Sequence, residues 1–120
     1  MSVRVDASQY EGWFYEGAGI YRDVWLNRYD NLHIPDGGVF VHTDLKDKTA
    51  DINIETTVEN QRSSGSACTI HSYITTRDGK VIAQTKEQTL VLAVNEKATV
   101  KQKTTLNNPK LWSLEDPYLY

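Results

Sequence analysis

Carboxylates, three histidines and one thiol are the groups in this 120-residue chain that could do chemistry. General acid–base catalysis needs two carboxyl groups at a fixed spacing, with a pocket or partner base that sets their protonation. Two pairs are near enough in sequence to ask the question: Glu115 with Asp116, adjacent in a turn, and Glu11 with Glu16, flanking the aromatic run Trp13-Phe14-Tyr15. Neither has a partner base or any framing that fixes its spacing, so both read as solvated surface carboxylates. His33, His42 and His71 lack the close ligand spacings of a zinc site and read as solvated or hydrogen-bonded strand residues. Cys68 is the only cysteine, so no intrachain disulfide can form,. With no base motif beside it, it reads as a small core residue rather than a nucleophile. No catalytic residue, metal site or cofactor follows from these groups.

The elements that carry them are β throughout. Residues 51–58 place Ile52, Ile54, Thr56 and Val58 on one face and Asp51, Asn53 and Glu55 on the other, the period-two pattern of a half-buried strand,. Residues 68–76 alternate likewise, with Cys68, Ile70, Ser72 and Ile74 inward. Asp78-Gly79 supplies a tight turn, Val81-Ile82-Ala83 starts the return strand, and Leu90-Val91-Leu92 follows. Residues 98–106 alternate again, with Lys97, Lys101 and Lys103 toward water, where charge discourages edge-to-edge aggregation,. Pro35-Asp36-Gly37-Gly38 is a turn cluster opening a strand over residues 39–43,. No window carries a helical stripe. Short strands at this rhythm predict an all-β fold, an immunoglobulin-like Greek-key sandwich.

The first thirty residues differ. Val3-Arg4-Val5 is a short strand remnant, residues 11–19 an aromatic loop hinged by glycines, and residues 20–29 a further predicted strand. Two strands cannot recover the conformational entropy of so short a segment, so it predicts a fragment of a preceding β domain. The boundary falls near residues 31–38, dividing the chain into 1–30 and 31–120.

Composition narrows the class of partner. Hydrophobic residues are 39% and charged residues 24%, as in a folded domain rather than a disordered one,. The net charge of −3, with Lys and Arg scattered, disfavours nucleic acid,. No apolar run approaches the roughly 18 residues of a membrane span, and the first residues carry no signal-peptide pattern.

Two stretches carry a resemblance. "GAGIYRDVWL", residues 17–26, is similar to the end of the N-terminal jelly-roll domain of glycoside hydrolase family 2, the family of β-galactosidases, β-glucuronidases and β-mannosidases. "NPKLWSLEDPYLY", residues 108–120, resembles the end of that family's next domain, an immunoglobulin-like sandwich. The resemblance implies a piece of a longer retaining glycosidase, most similar to β-galactosidases. Tyr118-Leu119-Tyr120 would begin the last sandwich strand, with a (β/α)8 barrel after it. The two catalytic glutamates of the family lie on that barrel, about 5–5.5 Å apart. The resemblance therefore implies no catalytic residue in this chain, no cofactor, and a spacer role between jelly roll and barrel. It also implies a periplasmic or secreted bacterial parent.

In several family members the aromatic loop reaches the active-site rim and carries a sugar-contacting carboxylate about six residues before the motif's second glycine. Counted back from Gly19, that position is Trp13, so the contact does not carry over directly. Trp13, Tyr15 and Glu16 are the substrate-rim candidates, against the reading of the aromatics as a plug at a domain interface,. Gly19, Arg22, Asp23, Pro109 and Trp112 carry the structural motif, with Arg22 and Asp23 as a structural pair. Pro109 holds Asn108 extended, and Leu111-Trp112 is expected to fold under one end of the sandwich as a buried cap, worth about 3–5 kcal/mol at Trp112. The alternative is a free-standing carbohydrate-binding or adhesion module, but Phe40 and Tyr73 are the only aromatics between residues 39 and 106, a thin platform. Unpaired strands also predict that residues 20–29 fold back on the sandwich or pair with another chain in a dimer.

Overall fold

The computed structural model describes residues 2–6, 19–20 and 22–120. Its strands are β1 (Leu32–His33), β2 (Val39–Lys46), β3 (Thr49–Asn60), β4 (Ser66–Ile70), β5 (Tyr73–Thr75), β6 (Val81–Gln84), β7 (Gln88–Leu92) and β8 (Lys97–Asn107). No helix forms among the described residues, and every strand pairing is antiparallel. The all-β expectation holds.

β3 is the centre of a four-stranded sheet. β1 and β2 share one edge of it, with Leu32 opposite Asn60 and Val39 opposite Thr56, while β8 runs along the other edge from Thr49↔Asn107 to Glu59↔Lys97. Its sequence explains the position: Ile52, Ile54, Thr56 and Val58 are all buried, as the alternation predicts. Ile52, Ile54 and Leu106 form the core, and Ile74, Ile82 and Ala83 of the β5–β6 hairpin close over them as the second layer. The return of β8 to β3 after four intervening strands gives the Greek-key crossover.

Two turns depend on glycine. Gly79, at φ +85°, lets Thr76 and Lys80 close the β5–β6 hairpin, with Thr76 N donating to Lys80 O at 2.9 Å. A Cβ on Gly38 would lie 2.7 Å from the Pro35 carbonyl oxygen, and Gly38 N donates to that same oxygen at 2.8 Å. Only a residue without a side chain fits so close to the turn.

On the outer face, the lysines of β8 reach the acids of β3. Lys97 Nζ lies 2.9 Å from Glu59, Lys101 Nζ 2.7 Å from Glu55 and Lys103 Nζ 3.1 Å from Asp51. The lysines point to water as predicted, and the antiparallel register puts the opposite charges beside them.

Several expectations need correction. Residues 68–76 are not one strand: the run breaks at His71-Ser72, and β4 and β5 join different two-stranded sheets, β4–β7 and β5–β6. The break is held by buried polar groups. Gln102 on β8 donates to Ile70 O at 3.1 Å and Lys86 O at 2.8 Å and accepts from Ser72 Oγ at 2.8 Å, while Thr85 N donates to Ser72 O at 2.9 Å. The Ile70 and Lys86 carbonyls thus bond to a side chain of β8. Residues 3–5 and 22–29 form no strand either. Val24, Trp25 and Leu26 are largely exposed. Asp51 lies on the lysine face as alternation predicts, yet it is buried there, held by Lys46, Lys103 and Thr105.

Candidate functional site

A broad concavity lies over the open half of the sheet. β2 turns Val39, Val41 and Leu45 toward the second layer, yet all three are more than half exposed because the β5–β6 hairpin covers only β3 and β8. With Ile52, Ile54, Ile74 and Leu106 they form the floor of a groove of about 660 Å³, walled by Trp112, Tyr118 and Tyr120. Its lining contains no carboxylate, histidine or thiol. Ser72 reaches it, but its hydroxyl is committed to Gln102. The groove can hold apolar side chains; its lining offers no acid–base pair.

The C-terminal wall is tied down locally. Lys110 Nζ lies 2.7 Å from Asp116 and 4.4 Å from the centre of the Tyr118 ring, and Tyr120 Oη accepts from Lys110 N. Arg77, in the β5–β6 turn, sits 6.0 Å over Tyr118 and donates to Pro117 O at 3.4 Å. Trp112 is 56% exposed, a rim residue and not the buried cap expected of it. Pro109 is half-buried and lines the same groove, but Asn108 before it has φ +47° and is not extended as expected. Tertiary cover decides burial here: among the described residues nothing packs over the outer side of the Trp112 indole.

The other candidates are dispersed. Asp116 is committed to Lys110, and its backbone N donates to Ser113 Oγ at 3.1 Å; Glu115 beside it is exposed. His42 pairs with Asp44 at 3.0 Å, His33 stacks on Tyr29 at 4.9 Å, and His71 lies 2.8 Å from the Tyr73 hydroxyl. Among the described residues no cluster of His, Cys, Asp or Glu could hold a metal ion. Cys68 is half-buried opposite Leu90. Gly19 has φ +142°, and Arg22 and Asp23 are exposed. Trp13, Tyr15, Glu16, Glu11 and Phe14 lie outside the described residues.

Carboxylates with perturbed environments are structural. Asp51 is held well below the usual carboxylate range by Lys46 at 2.7 Å, the Thr105 hydroxyl at 2.8 Å and Lys103. The Gln61 amide, then Lys97, lowers Glu59, and the Tyr29 hydroxyl, then the Asn27 amide, lowers Asp36. These are ionised groups locked by donors, the opposite of a general acid kept protonated. Sequence reading missed Asn60 and Gln102, the polar side chains that organise the interior. Both sit within ordinary polar stretches, and their one local sign is a place on the inward parity of an alternating strand.

The sequence profile of the glycosyl hydrolases family 2 matches residues 32–120. The chain belongs to that family. Among relatives of this glycosyl hydrolase segment, the β-galactosidase BoGH2A of Bacteroides ovatus is 34% identical over 100% of the chain and 14% of its own length. A β-glucuronidase of Formosa agariphila is 31% identical over 92% of the chain and 12% of its own length. The solved structure of a β-glucuronidase from glycoside hydrolase family 2 superposes with a TM-score of 0.64 at 28% identity, over 69% of the chain and 10% of that protein. The family 2 segment thus spans a small fraction of each protein it matches, as one domain of a multidomain hydrolase does.

Proposed function

We propose that this chain is a non-catalytic sandwich that spaces the domains of a longer family 2 glycosidase, most similar to a β-galactosidase. The observation that carries the reading is the family match over residues 32–120, in relatives of which the chain makes up only 10–14%. Residues 1–30 are the end of a preceding jelly-roll domain and 31–120 the spacer. The catalytic glutamates belong to a barrel elsewhere in the longer protein. Hydrolysis with retention requires two carboxyl groups at a fixed short spacing. The ionised, donor-locked state of Asp51, Glu59 and Asp36 supports assigning that work to another domain.

The same reading gives the groove an occupant: the strand that Tyr118-Leu119-Tyr120 begin, continued in the longer protein along the free edge of β5. The position of Pro117 and Tyr118 beside Arg77 at the end of β5 supports it. A strand laid there would cover Val39, Val41 and Leu45, which a stable sandwich needs dry.

The test is calorimetric titration of the chain with galactosides, glucuronides and mannosides, together with nitrophenyl glycoside assays. The expected result is neither binding nor turnover. Millimolar or tighter affinity for one sugar class would overturn the spacer reading in favour of a carbohydrate-binding module.

A further inference from the structure

The segment entering the sandwich is unusually well fastened. Asp36, in the turn before β2, accepts hydrogen bonds from the Tyr29 hydroxyl and from Asn27 Nδ2, the latter at 3.2 Å. Asp30 accepts from Leu32 N at 3.0 Å and from Arg62 Nη2 at 2.9 Å, which ties it to the loop after β3. Gln61 N donates to Asn31 O at 2.6 Å in the same place. The Tyr29 ring stacks on His33 with an interplanar angle of 18°. Asp36 is itself immobilised, because Gly38, two residues on, is packed against Pro35 and accepts from Thr57 N of β3 at 2.7 Å.

A linker that merely connected two domains would not need these contacts; inter-domain segments move unless something holds them. Here two carboxylates spaced six residues apart each grip a different part of the entering chain. Just before Asn27, Trp25 and Leu26 are 78% and 84% exposed.

We infer that residues 27–36 form a rigid elbow, with Asp36 and Asp30 as its two clasps, that fixes the direction in which the preceding segment leaves the sandwich. Its use, holding a preceding domain at a set angle, rests on the spacer reading; its rigidity is a property of this chain alone. Asp36 and Tyr29 are positioning residues. Charge-assisted hydrogen bonds such as those to the two carboxylates are shorter and stronger than neutral ones. Removing the Tyr29 hydroxyl should therefore loosen the elbow while leaving the hairpins intact.

Amide 15N relaxation on the full chain tests this. In the unaltered protein, order parameters at residues 27–31 should match those of β3, near 0.85, and fall across residues 24–26. In Asp36→Ala and in Tyr29→Phe, the values at 27–30 should drop below about 0.6 while β3 and β8 stay unchanged. Tyr29→Phe keeps the ring and its stack on His33, so it remains informative if Asp36→Ala disturbs the turn. Order parameters already below about 0.6 at residues 27–30 in the unaltered chain, or unmoved in Tyr29→Phe, would overturn the elbow. The sugar titration is independent of this result, so failure of the elbow and failure of the spacer reading are told apart.

Discussion

Replacing Asn60 by leucine keeps the branched outline of the side chain but removes the polar knot at one end of the sandwich. Asn60 is 0% exposed, and its amide donates to Ala93 O at 2.9 Å, Ser64 O at 3.0 Å and Leu92 O at 3.4 Å, while its oxygen accepts from Arg62 N at 3.1 Å. Ser64 and Arg62 are exposed, so water can take over there. The carbonyls of Leu92 and Ala93 sit where β7 turns into β8; Ala93 is exposed and its carbonyl still accepts from Glu96 N at 3.4 Å, so the buried Leu92 O is the one that suffers. A buried acceptor left dry costs about 1–3 kcal/mol, which sets the expected loss. At roughly 4 °C per kcal/mol for a chain of this size, the midpoint falls by about 4–12 °C. Urea unfolding followed by circular dichroism gives the difference directly. Asn60→Asp is the sharper control, because it keeps the shape but turns a carboxylate toward three carbonyl oxygens. That arrangement favours the protonated acid and raises its folded-state pKa. The penalty should be full above that raised pKa and vanish below the unfolded value near 3.9. If both variants lie within about 0.5 kcal/mol of the unaltered chain at neutral pH, the knot does not hold the turn and the argument fails.

Ile54→Ala, in the middle of the core, should cost about 2–5 kcal/mol in the same urea titration; a loss under 1 would mean the second layer does not close over β3. Trp112→Ala should cost less than about 1 kcal/mol, since the indole is 56% exposed and its cover is partial,. A loss of 3 or more would restore the buried cap. Asp51 sits below its ordinary value of 3.8 because the folded state favours its charge, so its contribution is complete above pH 3.8 and lost as pH falls through the lowered folded pKa,. The stability gap between the unaltered chain and Asp51→Asn should accordingly be present at pH 6 and shrink below pH 3.8; a gap that is constant with pH would remove Asp51 from the acid response.

Sequence alone determined the all-β class, the inward face of β3 and β8, and the hairpin at Asp78-Gly79. Those features are local: alternation has period two within one strand, and Gly79 meets a backbone angle set by its immediate neighbours. It also carried the family, through short stretches near both ends of the chain. Tertiary structure alone decided which polar residues are inside. Asn60 meets Leu92 and Ala93 across 32 and 33 positions, and Gln102 meets Ile70 across 32, so strand parity marks them as inward but nothing local names their partners. The same holds for β2 and Trp112. Val39, Val41 and Leu45 alternate as core residues do, yet they are exposed because burial depends on what stands opposite, and the second layer stops at β3. Alternation states which way a side chain points; only the packing partner decides whether water is there.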